Sequence, residues 1–184
     1  MILNALSSSL ILIDEQEKLM PAISNREQVI DNSIRLIKAA DHLSVPIVIT
    51  EQYSPGLGLT VSEVSDATRG TAQIIDKTSF SAMKDEIFKD YISELSKLCR
   101  QSFVLAGCEA HVCVLQTALE IKAAGHEVFI VTDCVGSRDP KSLEIALTRM
   151  NSAGIHLVTT EMVLFEWIER YDCKAFKALR ELIV

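Results

Sequence analysis

One cysteine of this chain lies where a thiol can act as a nucleophile. Cys113 falls within residues 107–117 (GCEAHVCVLQT), between an apolar run typical of a strand and an amphipathic run typical of a helix. Unpaired N–H groups and the positive dipole end at a helix start favour a thiolate over a thiol. Free cysteines are more often small buried hydrophobes, which is our interpretation of Cys108, Cys134 and Cys173. Cys113 is therefore the candidate nucleophile.

Two charged residues follow other apolar runs and could assist such a thiol. Asp14 closes a run of Leu and Ile, so we expect its carboxylate to be partly desolvated, to have a raised proton affinity and to be able to relay protons. The alternative is that Asp14 caps the next helical turn. Lys77 follows another apolar strand and precedes a polar loop, where its ammonium could hold a thiolate. The alternative is a solvated lysine at a strand end.

The elements that would position these residues alternate along the chain. Short saturated apolar runs predict six strands at residues 9–14, 46–50, 72–77, 102–108, 127–132 and 155–159. Longer runs of 3.6-residue period predict helices between residue 25 and 45 and at 85–99, 114–124, 140–152, 161–170 and 173–182. Asn25 is expected to cap the first helix. The alternation predicts one domain, 1–184, with a three-layer α/β/α Rossmann-like fold and a mainly parallel sheet.

The predicted sheet also locates the site. Ligands of open α/β sheets bind in a crevice at the carboxyl ends of the strands. Five charged residues fall at or just past such ends: Asp14, Glu51, Lys77, Glu109 and Asp133. The connection at residues 51–70 contains Gly and Pro and is long enough to shape a pocket. We therefore expect the substrate pocket among this connection, Phe80 and the surroundings of His111.

Composition and spacing exclude several classes of function. A net charge of −7 without a basic segment argues against a nucleic-acid partner. No apolar run reaches the roughly 20 residues of a membrane helix and no signal peptide is evident, so we expect a cytoplasmic protein without a membrane partner. The sequence Glu51-Gln52-Tyr53 supplies one carboxylate and no histidine, and the glycines form no dinucleotide fingerprint. We therefore expect no metal and no other cofactor.

Three stretches of the sequence carry a resemblance to a known family. They are residues 12–16 (LIDEQ), 76–81 (DKTSFS) and 107–114 (GCEAHVCV), which contain Asp14, Lys77 and Cys113. In these stretches the chain resembles the isochorismatase-like cysteine hydrolases, and most of all the branch of isochorismatase domain-containing proteins. The resemblance implies hydrolysis of an amide or carbamoyl-type C–N bond in a small molecule through a covalent cysteine intermediate.

The resemblance also implies a role for each residue. Cys113 would attack the carbonyl carbon, Asp14 would take the thiol proton and deliver it to the leaving amine, and Lys77 would lower the thiol pKa. The backbone N–H groups of Glu109 and Cys113 would form an oxyanion hole, after a cis peptide bond at Cys108-Glu109. The implied substrate pocket contains Gln16, Glu51, Gln52, Tyr53, Phe80 and His111.

Some alternatives remain open at this level. Residues two apart on a helix do not face each other, so His111 is expected in the pocket wall rather than against Cys113. The chain could be a non-catalytic small-molecule-binding protein or a redox sensor on the same fold. Relatives commonly form homo-oligomers, and we expect one here. The apolar C-terminal residues could pack against a neighbouring subunit or close the domain's own core: Leu179, Leu182, Ile183 and Val184.

Overall fold

The chain forms a six-stranded sheet in which every pair of neighbouring strands is parallel. The computed structural model describes residues 1–183, and Val184 lies outside the described part. The strands are β1 (Ser8–Ile13), β2 (Ile47–Gln52), β3 (Gln73–Lys77), β4 (Ser102–Cys108), β5 (Glu127–Gly136) and β6 (His156–Val158). Their order across the sheet is β3-β2-β1-β4-β5-β6. This arrangement confirms the predicted parallel sheet.

Helices cover both faces of the sheet. They are α1 (Arg26–His42), α2 (Ser54–Leu57), α3 (Ser62–Ala67), α4 (Glu86–Lys97), α5 (Leu115–Ala123), α6 (Pro140–Ser152), α7 (Thr160–Ile168) and α8 (Lys174–Leu179). One face packs against α1, α3, α7 and α8, and the other packs against α4, α5 and α6. The predicted three-layer α/β/α fold is therefore confirmed. Residues 51–70 hold two short helices and are not an open loop.

Alternation along the strands divides the core into these two halves. In β1, Leu10 and Leu12 pack on the α1 side of the sheet, whereas Ile11 and Ile13 pack on the α4 side. All six residues of β1 are buried, as expected for a central strand of a parallel sheet with both faces covered. At the C-terminus, Leu179 is buried in this core, and Leu182 and Ile183 pack partly against it.

Two local predictions were wrong. Asn25 precedes α1, but its side chain makes no capping hydrogen bond and instead donates to the Val135 carbonyl at 3.0 Å. β5 runs four residues beyond its predicted end, so Asp133 lies inside the strand. Its carboxylate accepts from the N–H and hydroxyl of Thr160 at 2.8 and 3.0 Å, at the start of α7. Asp133 therefore anchors a helix instead of joining the crevice.

The site lies where the order of the strands reverses direction. β1 pairs with β2 on one side and with β4 on the other, so the connections leave these central strands in opposite directions. A crevice opens at the carboxyl ends of such strands. Gly107 brings β4 close to β1 here, since its φ is +105° and a Cβ atom would lie 2.2 Å from the Ile13 carbonyl oxygen. Only glycine fits this position.

Among residues 1–183, none of the helices combines the length and the apolar character needed to cross a membrane.

Candidate active site

Asp14 is held at the carboxyl end of β1 by the neighbouring strand. Its φ is +52°, a conformation that Asp tolerates better than most residues, and it turns the side chain away from the alternation of β1. The carboxylate is fully buried. Thr50 donates to Oδ1 at 2.7 Å, and Lys77 donates to Oδ2 at 2.8 Å. The ion-pair geometry favours the relay interpretation of Asp14 over the helix cap.

Lys77 reaches Asp14 from β3, two strands away. It continues the inward-facing position of Ile75, and its side chain is buried, with a residue exposure of 2%. The ammonium donates to Asp14 Oδ2 at 2.8 Å, to Gln52 Oε1 at 2.8 Å and to the Ser79 carbonyl at 3.2 Å. Each of its three protons thus has an acceptor. Lys77 is part of the site and not a solvated strand end.

Cys113 lies on the β4 side of the sheet, across β1 from Lys77 on β3. After β4, a π-helical turn spans Ala110–Val114 and leads into α5, so the helical segment begins four residues before its predicted start. π-Helical turns occur often at functional sites. Cys113 is 6% exposed and packs in the core half that contains α4 and α5. The peptide bond Cys108-Glu109 is cis, as the resemblance implied.

The protonation states differ in part from expectation. Burial raises the pKa of the Asp14 carboxyl although Lys77 and Thr50 lower it, which confirms the predicted raised proton affinity. The pKa of Cys113 is raised to about 12, first by burial and then by the negative charge of Asp14, while Lys77 opposes the rise. The expected depressed thiol pKa was therefore wrong, because desolvation outweighs the lysine and the helix start. Cys113 rests as a thiol.

Glu109, beside the cis bond, is anchored by Arg138, a residue that no sequence pattern singles out. The Arg138 backbone N–H donates to Glu109 Oε2 at 2.9 Å, and Arg138 Nε lies 3.1 and 3.0 Å from the two carboxylate oxygens. Next to it, the Ser137 hydroxyl lies 2.9 Å from His111 Nδ1. The loop between β5 and α6 thus fixes the segment that precedes Cys113.

The expected pocket residues separate into two groups. Gln16 is committed to protein: its Oε1 accepts from the Gln52 N–H at 2.7 Å, and its Nε2 donates to the Gln52 and Gly58 carbonyls at 3.1 and 2.7 Å. Tyr53 and Phe80 are 55% and 57% exposed and are free to meet a ligand. The structure therefore leaves these two aromatic side chains as accessible pocket candidates.

Glu51 is directed away from Asp14, Lys77 and Cys113. It alternates with Thr50 and Gln52 along β2, so it faces the α3 side of the sheet. There its Oε1 accepts from the N–H and the hydroxyl of Thr60, both at 2.7 Å. Within the described residues no group of three His, Cys, Asp or Glu side chains is arranged to hold a metal ion.

A second buried carboxyl group was missed from the sequence. Glu15 follows Asp14 but lies among α1 and β5, where Ser33 donates to its Oε1 at 2.6 Å. Its Oε2 is buried without a hydrogen-bond partner. Burial is the main cause that raises the pKa of Glu15 to about 8, and Ser33 opposes it. Only the tertiary structure shows that this glutamate is enclosed.

The fold and the site define a class of protein. A six-stranded parallel sheet of this order, with helices on both faces, is the three-layer α/β/α fold of an isochorismatase-like hydrolase. The family model described as the isochorismatase domain matches residues 8–162. The chain belongs to the isochorismatase family.

Individual relatives agree with this assignment. The chain is 37% identical over 170 residues to isochorismatase domain-containing protein 1 of Danio rerio, which covers 92% of this chain and 58% of that protein. It is 36% identical over 181 residues to isochorismatase domain-containing protein 2 of the same fish, with coverages of 98% and 89%. The structure of MAR1 ribonuclease from Caenorhabditis elegans superimposes with a TM-score of 0.92 at 36% identity, covering 100% of this chain and 92% of that one.

Proposed function

We propose that this chain is a cysteine hydrolase that cleaves an amide or carbamoyl-type C–N bond of a small molecule through a covalent intermediate on Cys113. The observation that carries the proposal is the fully buried Asp14–Lys77 ion pair, with 2.8 Å between Nζ and Oδ2, at the same crevice as the only cysteine of the π-helical turn. Burying such a pair is costly, and active sites are where perturbed carboxyl and thiol groups collect.

The high thiol pKa defines the first chemical step. Because Cys113 rests as a thiol, its proton has to leave as the Sγ–C bond forms. Asp14 supplies the carboxylate among the three residues Asp14, Lys77 and Cys113. Its pKa is raised, and it takes that proton. The carbonyl π electrons move to oxygen, where the backbone N–H groups of Glu109 and Cys113 stabilise the negative charge.

The second half of the reaction uses the same proton. Asp14 donates it to the leaving nitrogen as the C–N bond breaks, which leaves a thioester on Cys113 and releases an amine or ammonia. A water molecule then attacks the thioester, Asp14 accepts the water proton, and the thiolate leaves and is reprotonated as the acid product departs. The Lys77 ammonium, paired with Asp14 at 2.8 Å, offsets negative charge that develops at the site.

Two competing functions have less support from the site. A redox-sensing cysteine needs an accessible thiolate, whereas Cys113 is 6% exposed and its pKa is raised to about 12. The C. elegans relative is named a ribonuclease. RNA binding relies on basic grooves, and this chain has a net charge of −7. Homo-oligomerisation stays a prediction, which light scattering tests.

The proposal is tested with a panel of small amides and carbamoyl compounds, read by release of ammonia or amine. We expect wild type to turn over at least one compound and Cys113→Ala to turn over none, while Cys99→Ala, at an exposed cysteine, retains activity. Mass spectrometry should find an acyl adduct on the peptide containing Cys113. A fully active Cys113→Ala variant, or saturable ligand binding without any product, would contradict the proposed hydrolase.

A further inference from the structure

The Lys77 ammonium has a side-chain acceptor, Gln52, that takes no part in the proposed reaction. Besides Asp14 and the Ser79 carbonyl, it donates to the side-chain oxygen of Gln52 at 2.8 Å. Gln52 and Lys77 are paired at the ends of β2 and β3, so both side chains leave the sheet at the same level. This contact is as short as the Lys77–Asp14 ion pair itself.

The orientation of the Gln52 amide is fixed by its own partners. Its Nε2 donates to the Thr78 carbonyl at 2.8 Å, which directs Oε1 toward Lys77. Its backbone is fixed as well, because Gln16 accepts from the Gln52 N–H and donates to the Gln52 carbonyl. An amide with both ends engaged cannot rotate to offer its nitrogen to the ammonium without losing two hydrogen bonds.

The Gln52 side-chain oxygen that accepts from Lys77 is neutral, and this lack of charge is important for the site. The ionisable groups that act on the Cys113 thiol are Asp14, Lys77 and Glu109, and a carboxylate at position 52 would be a further anion competing with Asp14 for the ammonium. An amide oxygen satisfies the third ammonium proton without adding charge. From this geometry we propose that Gln52 is a positioning residue that holds the Lys77 ammonium against Asp14 and leaves Asp14 as its only anionic partner.

The consequence for chemistry rests on the proposed function, in which Asp14 is the base and Cys113 the nucleophile. Without the Gln52 oxygen, one buried ammonium proton has no acceptor, so the ammonium is free to shift away from Asp14. That shift weakens the field that opposes protonation of Asp14 and Cys113. The pH range over which the thiol reacts should then move upward.

The test uses Gln52→Met, which keeps the length of the side chain and removes its acceptor. The measured quantity is the rate at which iodoacetamide alkylates Cys113 between pH 6 and 10, followed on the Cys113 peptide by mass spectrometry. We expect a rate about three- to tenfold lower at a given pH, the equivalent of roughly half to one pKa unit. Gln73→Met, at an exposed glutamine on β3, should match wild type.

The outcomes separate the role of Gln52 from the proposed function. A folded Gln52→Met protein with the wild-type alkylation profile overturns the role of Gln52, whether or not wild type hydrolyses amides. A slower alkylation supports that role even where no amide in the panel is cleaved, a result that contradicts the hydrolase instead. Gln52→Asn, which is one methylene too short to reach Lys77, gives the same comparison if the Met variant does not fold.

Discussion

Thr50 holds both the backbone and the side chain of Asp14. The Thr50 hydroxyl lies 2.7 Å from Asp14 Oδ1, and the Thr50 carbonyl accepts the Asp14 N–H at 3.0 Å. Lys77 occupies the other carboxylate oxygen. One residue of β2 thus orients the proposed base just past β1, and its hydroxyl hydrogen bond favours the ionised carboxylate.

Replacing this hydroxyl should shift the acid limb of the pH–rate profile. The Thr50 hydrogen bond lowers the pKa of Asp14, so Thr50→Val should raise that pKa and move the limb upward by roughly half to one unit. Activity above the limb should change little. Thr148→Val, which removes an exposed hydroxyl on α6, is the matched control. An unmoved limb in Thr50→Val would contradict Asp14 as the base.

Removing the ammonium should make stability strongly dependent on pH. Lys77→Met leaves a buried carboxylate without its counter-charge, and breaking a buried pair costs about 3–5 kcal/mol. The pKa of Asp14 then rises further. The stability that Asp14 contributes by binding a proton is present below its unfolded-state pKa. That stability is lost as the pH rises through the folded-state pKa of Asp14. Urea denaturation should therefore find a smaller loss at pH 5 than at pH 8.

The control for this variant is Lys84→Met. Lys84 forms an ion pair with Glu120 at 3.1 Å, but its side chain is 67% exposed, and such surface pairs contribute only about 0–1 kcal/mol. Lys77→Met would argue against the buried ion pair if its stability followed that of Lys84→Met at both pH values.

Glu15 predicts that wild-type stability falls as the pH rises from about 4.5 to about 8. Its folded pKa, about 8, lies above its ordinary value of 4.5, so the stabilisation is complete below that ordinary value and is lost as pH rises through about 8. Between these values the slope approaches about 1.4 kcal/mol per pH unit. Glu15→Gln, which cannot ionise, should flatten this slope in denaturation curves, and Glu17→Gln, at an exposed site, should not. Equal slopes in all three proteins would refute an enclosed Glu15.

Gly107 should not tolerate a side chain. In Gly107→Ala the new Cβ would lie 2.2 Å from the Ile13 carbonyl oxygen, so β1 and β4 would have to separate. We expect a loss of more than about 4 kcal/mol, or no folded protein. Gly125→Ala also has a positive φ, +92°, but meets nothing within 4 Å and should cost only about 1–3 kcal/mol. Thermal unfolding measures the loss of stability in both variants. Gly125→Ala reports backbone strain alone, whereas Gly107→Ala adds the collision with Ile13. Similar losses in the two variants would contradict the close approach of β4 to β1.

The strands, and the sheet edge at which Asp14 and Lys77 meet, could be predicted because they depend on local patterns. Saturated apolar runs are strands in a sheet covered on both faces, and residues that follow them must meet at one edge. Asp14, Lys77 and the segment after β4 were found in this way, and the resemblance to the isochorismatase family is confirmed.

The remaining features depend on contacts between distant residues. Arg138 reaches Glu109 across 29 positions of the chain, and the apolar periodicity carries no trace of that pair. Asn25 has a good capping sequence, yet the Val135 carbonyl competes for its side chain. The thiol pKa was mispredicted because a helix start is visible in sequence whereas the degree of burial is not.

The position of β4 beside β1 also affects how the nascent chain is made. β1, β2 and β3 are synthesised first, but one edge of the wholly buried strand β1 stays unpaired until residues 102–108 have been made and add β4. During that interval an apolar strand with free N–H and C=O groups is available to other chains. The neighbour that completes the crevice is thus also the one that protects the nascent polypeptide from aggregation.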